Sequence, residues 1–250
     1  MITKTHGIVL RTYPYSETSC IVVWLARDAG RLTTLAKGAL RPKSSALGQF
    51  DLYYTCELLY YQKDSRDLHI LRECSPLTLR SRFRHDWRAC ASASYLAGLI
   101  YRICPPHAVQ PGIFSFFEDL LDILNTDGGH PAFLYWAELQ VLQQLGHAPR
   151  LDRCLGCKQL RENLLSPAKF IVDRGGYLCR DCLRQGGNRD GHDVGPDVLA
   201  TLYAWQRSRT ARMPTVTRYT KEQGQTMQLL LGEFLSHHLE LPLTGRNLAM

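Results

Sequence analysis

Two short cysteine motifs constrain the fold of this chain more than any other feature. Residues 154–157 read CLGC and residues 179–182 read CRDC, with 21 residues between the motifs. A CxxC turn lets two sulfurs bind one ion, and a second such turn completes a tetrahedron. Two pairs at about this separation are a strong zinc signature, although the usual separation is about 15–20 residues. Four thiolates leave no open coordination position, so the spacing predicts one structural Zn²⁺ bound by Cys154, Cys157, Cys179 and Cys182.

The segment between the two motifs has the pattern of a β-hairpin. In KFIVDRGGYLC, Phe170 and Val172 alternate on one side of the first strand, and Gly175-Gly176 supplies the turn. The sequence therefore predicts a zinc ribbon. The alternative, two redox-active thiol pairs, is disfavoured because no thioredoxin-like βαβ pattern surrounds the motifs. The remaining cysteines show no paired spacing and are interpreted as small buried hydrophobic residues: Cys20, Cys56, Cys74, Cys90 and Cys104.

The N-terminus and the hydropathy of the chain bear on its location. MITKTHGIVLRTYPY lacks the apolar core and the cleavage site of a signal peptide, and no run of about 18 apolar residues occurs. We therefore expect a cytoplasmic protein with no membrane partner. Its cysteines would lie in a reducing compartment, where spaced pairs indicate metal binding or redox chemistry.

The first third of the chain has the pattern of a small β-barrel. Turn residues separate short apolar runs, for example Asp28-Ala29-Gly30 and Asp64-Ser65-Arg66. The predicted strands cover residues 7–13, 19–26, 31–38, 52–62 and 67–74. Only one longer connection occurs, residues 41–50, after the third strand. This arrangement is typical of an OB-fold, a frequent binder of oligonucleotides, although an SH3-like barrel also has five strands.

The fourth predicted strand alternates between two faces. The set Leu52, Tyr54, Cys56, Leu58 and Tyr60 is interpreted as the barrel interior. That leaves Tyr53 and Tyr61 facing outward, either as stacking platforms for bases or packed against the helical part of the chain. The sequence favours packing.

From about residue 77 the apolar period becomes helical. Helices are predicted over 79–103, from Pro111 to about 124, over 131–145, 196–208 and 224–240. In the first of these, Arg80, Arg84 and Arg88 are four residues apart and form a candidate basic face. The fold class is therefore α+β and multi-domain. We expect a barrel domain at 1–76, helical segments at 77–149 and 193–250, and an inserted zinc module at 150–192.

The charge of the chain is unevenly distributed. The net charge is +7, with two basic blocks at 1–90 and 150–221 on either side of an acidic, apolar segment at 91–149. Such asymmetry favours a polyanionic partner for the basic blocks. In LAKGALRPKS, residues 35–44, the cations Lys37, Arg41 and Lys43 follow the third strand, and Arg31 lies within it. On an OB-fold this region contacts the nucleic-acid backbone, so these four residues are candidate phosphate ligands.

The sequence contains none of the common catalytic motifs. It lacks GxxxxGK[ST], HExxH, GxSxG and a glycine-rich dinucleotide fingerprint. We therefore expect a non-enzymatic protein. A zinc-containing nucleic-acid-processing enzyme with an unrecognised active site remains the alternative, and divalent-metal-dependent shortening of DNA would distinguish it.

The order of these parts resembles the bacterial RecO family of recombination mediators along nearly the whole chain. The resemblance rests on three stretches: GIVLRTYPYSETSCIVVWLARDAGRLTTLAKGALRPKS at 7–44, FLYWAELQVLQQLGHAPRLDRCLGC at 133–157, and CRDC at 179–182. Residues 196–250 match by position only. The resemblance implies an OB-fold, a helical bundle and a zinc module, and it places the family's DNA-contacting cations on Lys37 and Arg41. Some members lack the cysteines, which agrees with a structural metal.

The same resemblance implies an activity and partners. Members bind single- and double-stranded DNA and anneal complementary strands in the bacterial cytoplasm, in association with the nucleoid. The implied partners are RecR, with or without RecF, and the C-terminal tail of the single-stranded DNA-binding protein, in order to load RecA. As a hypothesis, segment 91–149 with its basic flank would offer a groove for that acidic, apolar tail.

Overall fold

A computed structural model describes residues 1–62, 67–186 and 190–250. Contacts divide the chain into two compact units. Unit 1 comprises Met1–Gly129 and Thr244–Ala249, and unit 2 comprises His130–Leu243 with Met250. The four-part domain division expected above stays a prediction. The turn expected at Asp64–Arg66 lies outside the described residues.

The N-terminal strands form a closed five-stranded barrel. They are β1 (Ile2–Ser16), β2 (Ser19–Ala26), β3 (Gly30–Ala36), β4 (Thr55–Tyr61) and β5 (Leu68–Thr78). Their order around the barrel is β1-β2-β3-β5-β4, and β4 pairs back onto β1. The pairs are antiparallel except β3 with β5, which run parallel. This topology confirms the OB-fold prediction.

The barrel interior is filled by alternating side chains from its strands. Trp24 is fully buried, and its indole N–H donates to the Thr34 hydroxyl at 2.9 Å. From β4, Cys56, Leu58 and Tyr60 are buried in the same cluster, as the alternation predicted. Gly7 lies where a Cβ atom would approach Leu58 Cδ1 to 2.8 Å, so only glycine fits there without a shift.

Eight α-helices and three further strands lie in the described part of the chain. They are α1 (Trp87–Ile103), α2 (Pro111–Asp127), α3 (Pro131–Gln144), β6 (Ala168–Ile171), β7 (Gly176–Leu178), α4 (Arg180–Arg184), β8 (His192–Val194), α5 (Pro196–Arg207), α6 (Arg212–Val216), α7 (Lys221–Leu239) and α8 (Arg246–Ala249). In unit 1, α1 contacts α2 and α8. Within the described ranges, none of the helices combines the length and apolar character that a bilayer crossing needs.

The helix predicted over 79–103 is shorter than the sequence suggested. Residues Ser81–Arg84 form a separate 3₁₀ turn, and α1 begins only at Trp87. The cause is Asp86, whose carboxylate accepts N–H bonds from Arg88 at 3.0 Å and Ala89 at 3.1 Å. An aspartate in this position caps a helix and sets its first turn.

The helices of unit 2 surround α3. Every side chain from Ala132 to Leu139 is buried, so this part of α3 is a central helix with no solvent-facing stripe, and only its C-terminal end at Gln143 and Gln144 is exposed. Its Tyr135 ring stacks on Trp205 of α5 with centroids 6.3 Å apart, and its hydroxyl donates to the Gly224 carbonyl of α7 at 3.2 Å. Thr220 and Gln223 form a capping box that starts α7.

Candidate metal centre and nucleic-acid interface

The four predicted cysteines lie together in unit 2. Their sulfur atoms are all within 4.8 Å of one another. Cys154 Sγ is 3.8 Å from Cys182 Sγ, and Cys157 Sγ is 3.7 Å from Cys179 Sγ. Sulfurs bound at about 2.3 Å to one tetrahedral ion lie about 3.8 Å apart. The cluster can therefore hold a metal ion, and among the described residues it is the one group of at least three Cys, His, Asp or Glu side chains with this geometry.

A hairpin and two turns position these sulfurs. β6 and β7 pair antiparallel around a turn in which Gly175 has φ of 68°, which confirms the predicted hairpin. The Leu155 N–H donates to the Tyr177 carbonyl at 2.8 Å, which holds the first cysteine turn against β7. A Cβ atom on Gly156 would lie 2.7 Å from Cys182 Sγ, so glycine in CLGC is what lets the second turn approach the first. The sequence missed β8, which pairs with β6.

The site favours a thiolate on Cys154. Burial of this residue raises the pKa of its thiol, but N–H groups of Cys179, Cys157 and Gly156 stabilise the anion and lower the pKa overall to about 7. Two of those donors lie 3.3 Å (Cys179) and 3.4 Å (Gly156) from the sulfur. Burial, and then hydrogen bonds that the Cys182 thiol shares with Cys179, Cys157 and Cys154, raise its pKa to about 12. A cation bound among the four sulfurs would favour their thiolate forms, which fits a metal site.

The cations predicted after β3 are at the surface of the barrel unit. Lys37, Arg41 and Lys43 are all exposed. The Gly38 N–H donates to Ser19 Oγ at 3.0 Å, and the Leu40 N–H donates to the Thr18 carbonyl at 3.0 Å, so the start of the loop is tied to the β1–β2 turn. Gly38 has φ of 63°, a conformation that glycine adopts without strain. The cations are therefore presented from an anchored backbone.

Arg80 is not available to DNA, which corrects the prediction that it is a contact residue. Its side chain is 0% exposed and its Nε donates to Asp122 Oδ1 at 2.8 Å. Its Nη1 donates to the Tyr53 carbonyl at 2.7 Å and to Thr55 Oγ1 at 3.0 Å. A guanidinium enclosed in this way joins β4 to α2 inside unit 1. The three arginines also do not share one helical face, because Arg80 precedes the 3₁₀ turn and Arg88 follows it in α1.

The other three predicted arginines differ in their exposure and in the contacts that they make within the protein. Arg31 is half-buried, donates to the Tyr101 carbonyl at 2.6 Å and lies 4.3 Å above the Tyr101 ring. Arg84 pairs with Asp51 at 3.1 Å while its side chain stays 59% exposed. Arg88 is exposed, with its guanidinium 5.3 Å from the Trp87 ring centre. DNA contact by these three residues stays a prediction.

The two outward tyrosines of the fourth strand have separate environments. Tyr53 is buried and meets Phe83 edge-on with centroids 5.5 Å apart, so packing, which the sequence favoured, is confirmed for it. Tyr53 also precedes β4, which begins at Thr55 rather than at 52. Tyr61 is 43% exposed.

A basic cluster in unit 2 was not identified residue by residue from the sequence. Arg150, Arg207 and Arg209 line one cavity although the first and second are 57 positions apart. Their only sequence signal is the excess of positive charge over 150–221. The spacing of the three residues carries no motif.

Comparisons with known proteins match nearly the whole chain to two family models. A family model described as Recombination protein O N terminal matches residues 1–80, and one described as Recombination protein O C terminal matches residues 84–247. A DNA repair protein RecO of Exiguobacterium sibiricum is 31% identical over 218 residues, which cover 86% of this chain and 84% of that protein.

Relatives from other bacteria extend the match over nearly the full chain. A DNA repair protein RecO of Bacillus subtilis is 27% identical over 245 residues, covering 96% of this chain and 92% of that protein. One from Desulforudis audaxviator is 29% identical over 239 residues, covering 95% and 92% respectively. With both family models matched in order, the chain belongs to the RecO family of DNA repair and recombination proteins.

Proposed function

We propose that this protein is a non-catalytic DNA-binding mediator that anneals complementary single strands during recombinational repair. With RecR, and with or without RecF, it would help load RecA onto single strands that carry their binding protein. The C-terminal tail of that binding protein would be a further partner. The protein would act in the cytoplasm on nucleoid DNA.

The observation that carries the proposal is the set of cations after β3. Lys37, Arg41 and Lys43 are exposed, and none has an ion-pair partner within the described part of the chain. Other cations of the barrel are paired, for example Lys4 with Glu57 at 2.9 Å and Arg72 with Glu73 at 3.0 Å. Cations without carboxylate partners are available to phosphates, and each contact releases counterions from DNA.

The cysteine cluster would hold one Zn²⁺ per chain in a structural role. Four sulfur ligands fill a tetrahedral shell, so no position remains for water or substrate. When bound, the ion supplies folding free energy rather than chemistry. Cys154, Cys157, Cys179 and Cys182 would be its ligands, on the basis of their sulfur geometry.

The test replaces Lys37 and Arg41 together by alanine. If both contact phosphates, binding to unrelated single strands should weaken, and the slope of log affinity against log salt should fall by about 1.4. Annealing of fluorescently labelled complementary strands should slow in parallel. The fold should survive, because exposed substitutions usually change stability by no more than about 0.5 kcal/mol.

A matched control removes the same charge from paired positions of the same barrel. Lys4→Ala with Arg72→Ala should leave the salt slope within error of the wild type, because carboxylates already neutralise these side chains. Wild-type affinity and slope in the Lys37→Ala, Arg41→Ala variant would refute the barrel interface. Metal-dependent shortening of the labelled strands would refute the non-catalytic assignment.

A further inference from the structure

Unit 2 contains a polar cavity that neither the barrel nor the cysteine cluster accounts for. Its volume is about 600 Å³, and it lies between the end of α3, the segment 148–152 and the end of α5. The side chains that matter here are Arg150, Arg207, Arg209, Tyr203, Gln140 and Gln206. No large aliphatic side chain that is exposed lines it among the described residues.

The cavity carries a concentrated positive charge. Arg150, Arg207 and Arg209 are exposed, and none of them has an ion-pair partner in the ranges that the structure describes. The one carboxylate in the lining, Asp152, is paired with Arg153 at 2.7 Å. Three positive charges therefore face a single concave region, and the one carboxylate in its lining, Asp152, which also attracts Arg150, offsets at most one of them.

The backbone around the cavity is held in place by hydrogen bonds from two glutamine side chains of its lining. Gln206 Nε2 donates to the Pro149 carbonyl at 2.8 Å, which ties the segment before Arg150 to α5. Gln140 Nε2 donates to the Trp205 and Gln206 carbonyls, each at 3.2 Å. The last carbonyls of α5 are thus satisfied by α3. Arg207, the last residue of α5, and Arg209 just beyond it are exposed and have no carboxylate partner among the described residues, so both can bind an anion.

The side chain of Tyr203 contacts two arginine side chains and holds them in place. The guanidinium carbon of Arg207 is 5.8 Å from the Tyr203 ring centre, and that of Arg161 is 5.0 Å from it. Arg207 Nη1 also donates to the Tyr203 hydroxyl at 3.5 Å. An arginine oriented by an aromatic ring loses less rotamer freedom on binding an anion than a free side chain does.

We propose that this cavity is a second binding site for the phosphate backbone of a DNA strand. The inference rests on the proposed function, and it adds a site in unit 2 to the one on the barrel. A nucleic-acid backbone suits the lining because it offers repeated charges and needs no apolar anchor, whereas a peptide ligand of similar charge usually adds buried apolar side chains. Two strand sites in one protein account for annealing, since both complementary strands must be neutralised.

The experiment compares the variant Arg150→Ala, Arg207→Ala, Arg209→Ala with a control of equal charge change, Arg174→Ala, Arg184→Ala, Arg218→Ala. The control residues are exposed in the same unit and outside the cavity. Two non-complementary oligothymidylates, one carrying a donor and one an acceptor dye, report energy transfer when the zinc-loaded protein holds both. The salt slope and the annealing rate are measured in parallel.

The cavity variant should still bind one strand but lose energy transfer, and its annealing rate should fall about tenfold. Loss of three phosphate contacts should lower the total salt slope by about 2. Combining this variant with Lys37→Ala, Arg41→Ala should remove the remaining DNA binding. The control variant should behave as the wild type.

Four outcomes would overturn the assignment. Unchanged energy transfer and salt slope in the cavity variant would show that the cavity holds no strand. An equal loss of energy transfer and salt slope in the control variant would show that the effect comes from the total charge of the unit and not from the cavity. A cavity variant that keeps wild-type energy transfer and salt slope but no longer binds polyglutamate would assign the cavity to an acidic peptide. Absence of DNA binding by the wild type would refute the proposed function itself, and is distinct from the other three.

Discussion

Replacing Arg80 by alanine tests whether this residue stabilises the barrel unit or binds DNA. The side chain is fully enclosed and holds three acceptors: Asp122, the Tyr53 carbonyl and the Thr55 hydroxyl. Tyr53 and Thr55 are themselves buried, so their oxygens would lose their donor without gaining water. Asp122 is 51% exposed and would be solvated.

The magnitude follows from those two orphaned acceptors. Each buried polar group left without a partner costs about 1–3 kcal/mol. Part of this free-energy cost is offset, because alanine removes a buried guanidinium that had to be desolvated on folding. It also removes the Nη2 atom, which is buried without a hydrogen-bond partner. We expect unit 1 to lose about 3 kcal/mol in its free energy of unfolding. This is the lower end of the about 3–5 kcal/mol typical of a broken buried pair, since the remaining carboxylate reaches water.

Amide hydrogen exchange followed by mass spectrometry measures this loss within unit 1, because the peptides of β4 and β5 report the opening of the barrel. DNA affinity is measured on the same samples and scaled to the folded fraction. Arg84→Ala is the matched control. Its side chain is 59% exposed and its pair with Asp51 is at the surface, so it should cost under about 1 kcal/mol.

Unchanged exchange protection in Arg80→Ala, together with weaker DNA binding per folded molecule, would refute the reasoning. Such a result would mean that the guanidinium leaves its enclosed position to meet phosphate. The structural role instead predicts faster exchange in β4 and β5 with DNA affinity and salt slope unchanged.

Two further substitutions test the metal centre and the start of α1. Cys154→Ser should abolish the one bound Zn²⁺ measured by elemental analysis and lower the melting temperature, while DNA affinity per folded molecule is kept. The control Cys90→Ser should change none of these three quantities. Unaltered metal content in Cys154→Ser would contradict the site. The N–H of Ala89 and then the guanidinium of Arg82 lower the pKa of Asp86 in the folded protein. The stability that its carboxylate contributes is therefore present above the unfolded pKa of about 3.9, and it is lost as pH falls towards the folded pKa. Asp86→Asn should keep the cap yet flatten the dependence of the urea midpoint on pH below about 4, and an unchanged profile would show that this carboxylate is not the titrating group.

The barrel was largely predictable because its strands are short apolar runs rich in β-branched residues, and the turns between them contain glycine and aspartate. The ends of the strands were not. β1 runs from Ile2 to Ser16 rather than over 7–13, because both of its ends are stabilised by pairing with β2 and β4, which are distant contacts. β4 starts three residues later than predicted, since Tyr53 adopts φ of 68° and turns inward before the strand begins.

At the candidate sites, the spacing of the cysteines predicted where their side chains lie, but the sequence positions of the arginines did not. The cysteines carry their geometry in their sequence separation, because each CxxC turn is local. An arginine's sequence position does not say whether its guanidinium is solvated. Arg80 and Arg84 are four residues apart, yet one is enclosed by Asp122 and two acceptors from the barrel, and the other is mostly exposed. The environment that decides between them comes from residues at least 25 positions away.

Unit 1 contains both an N-terminal stretch and the late segment Thr244–Ala249, whose α8 contacts α1. A ribosome must therefore synthesise residues 130–243 after α1 has emerged and before α8 can dock. At about 5–20 residues per second this interval is roughly 6–23 s. Over that time the surface of α1 that α8 will cover is open to solvent, including the region near Tyr95 and Leu248. Nascent chains stalled within 130–243 should therefore expose an apolar surface that a chaperone can bind, although their barrel strands are already complete.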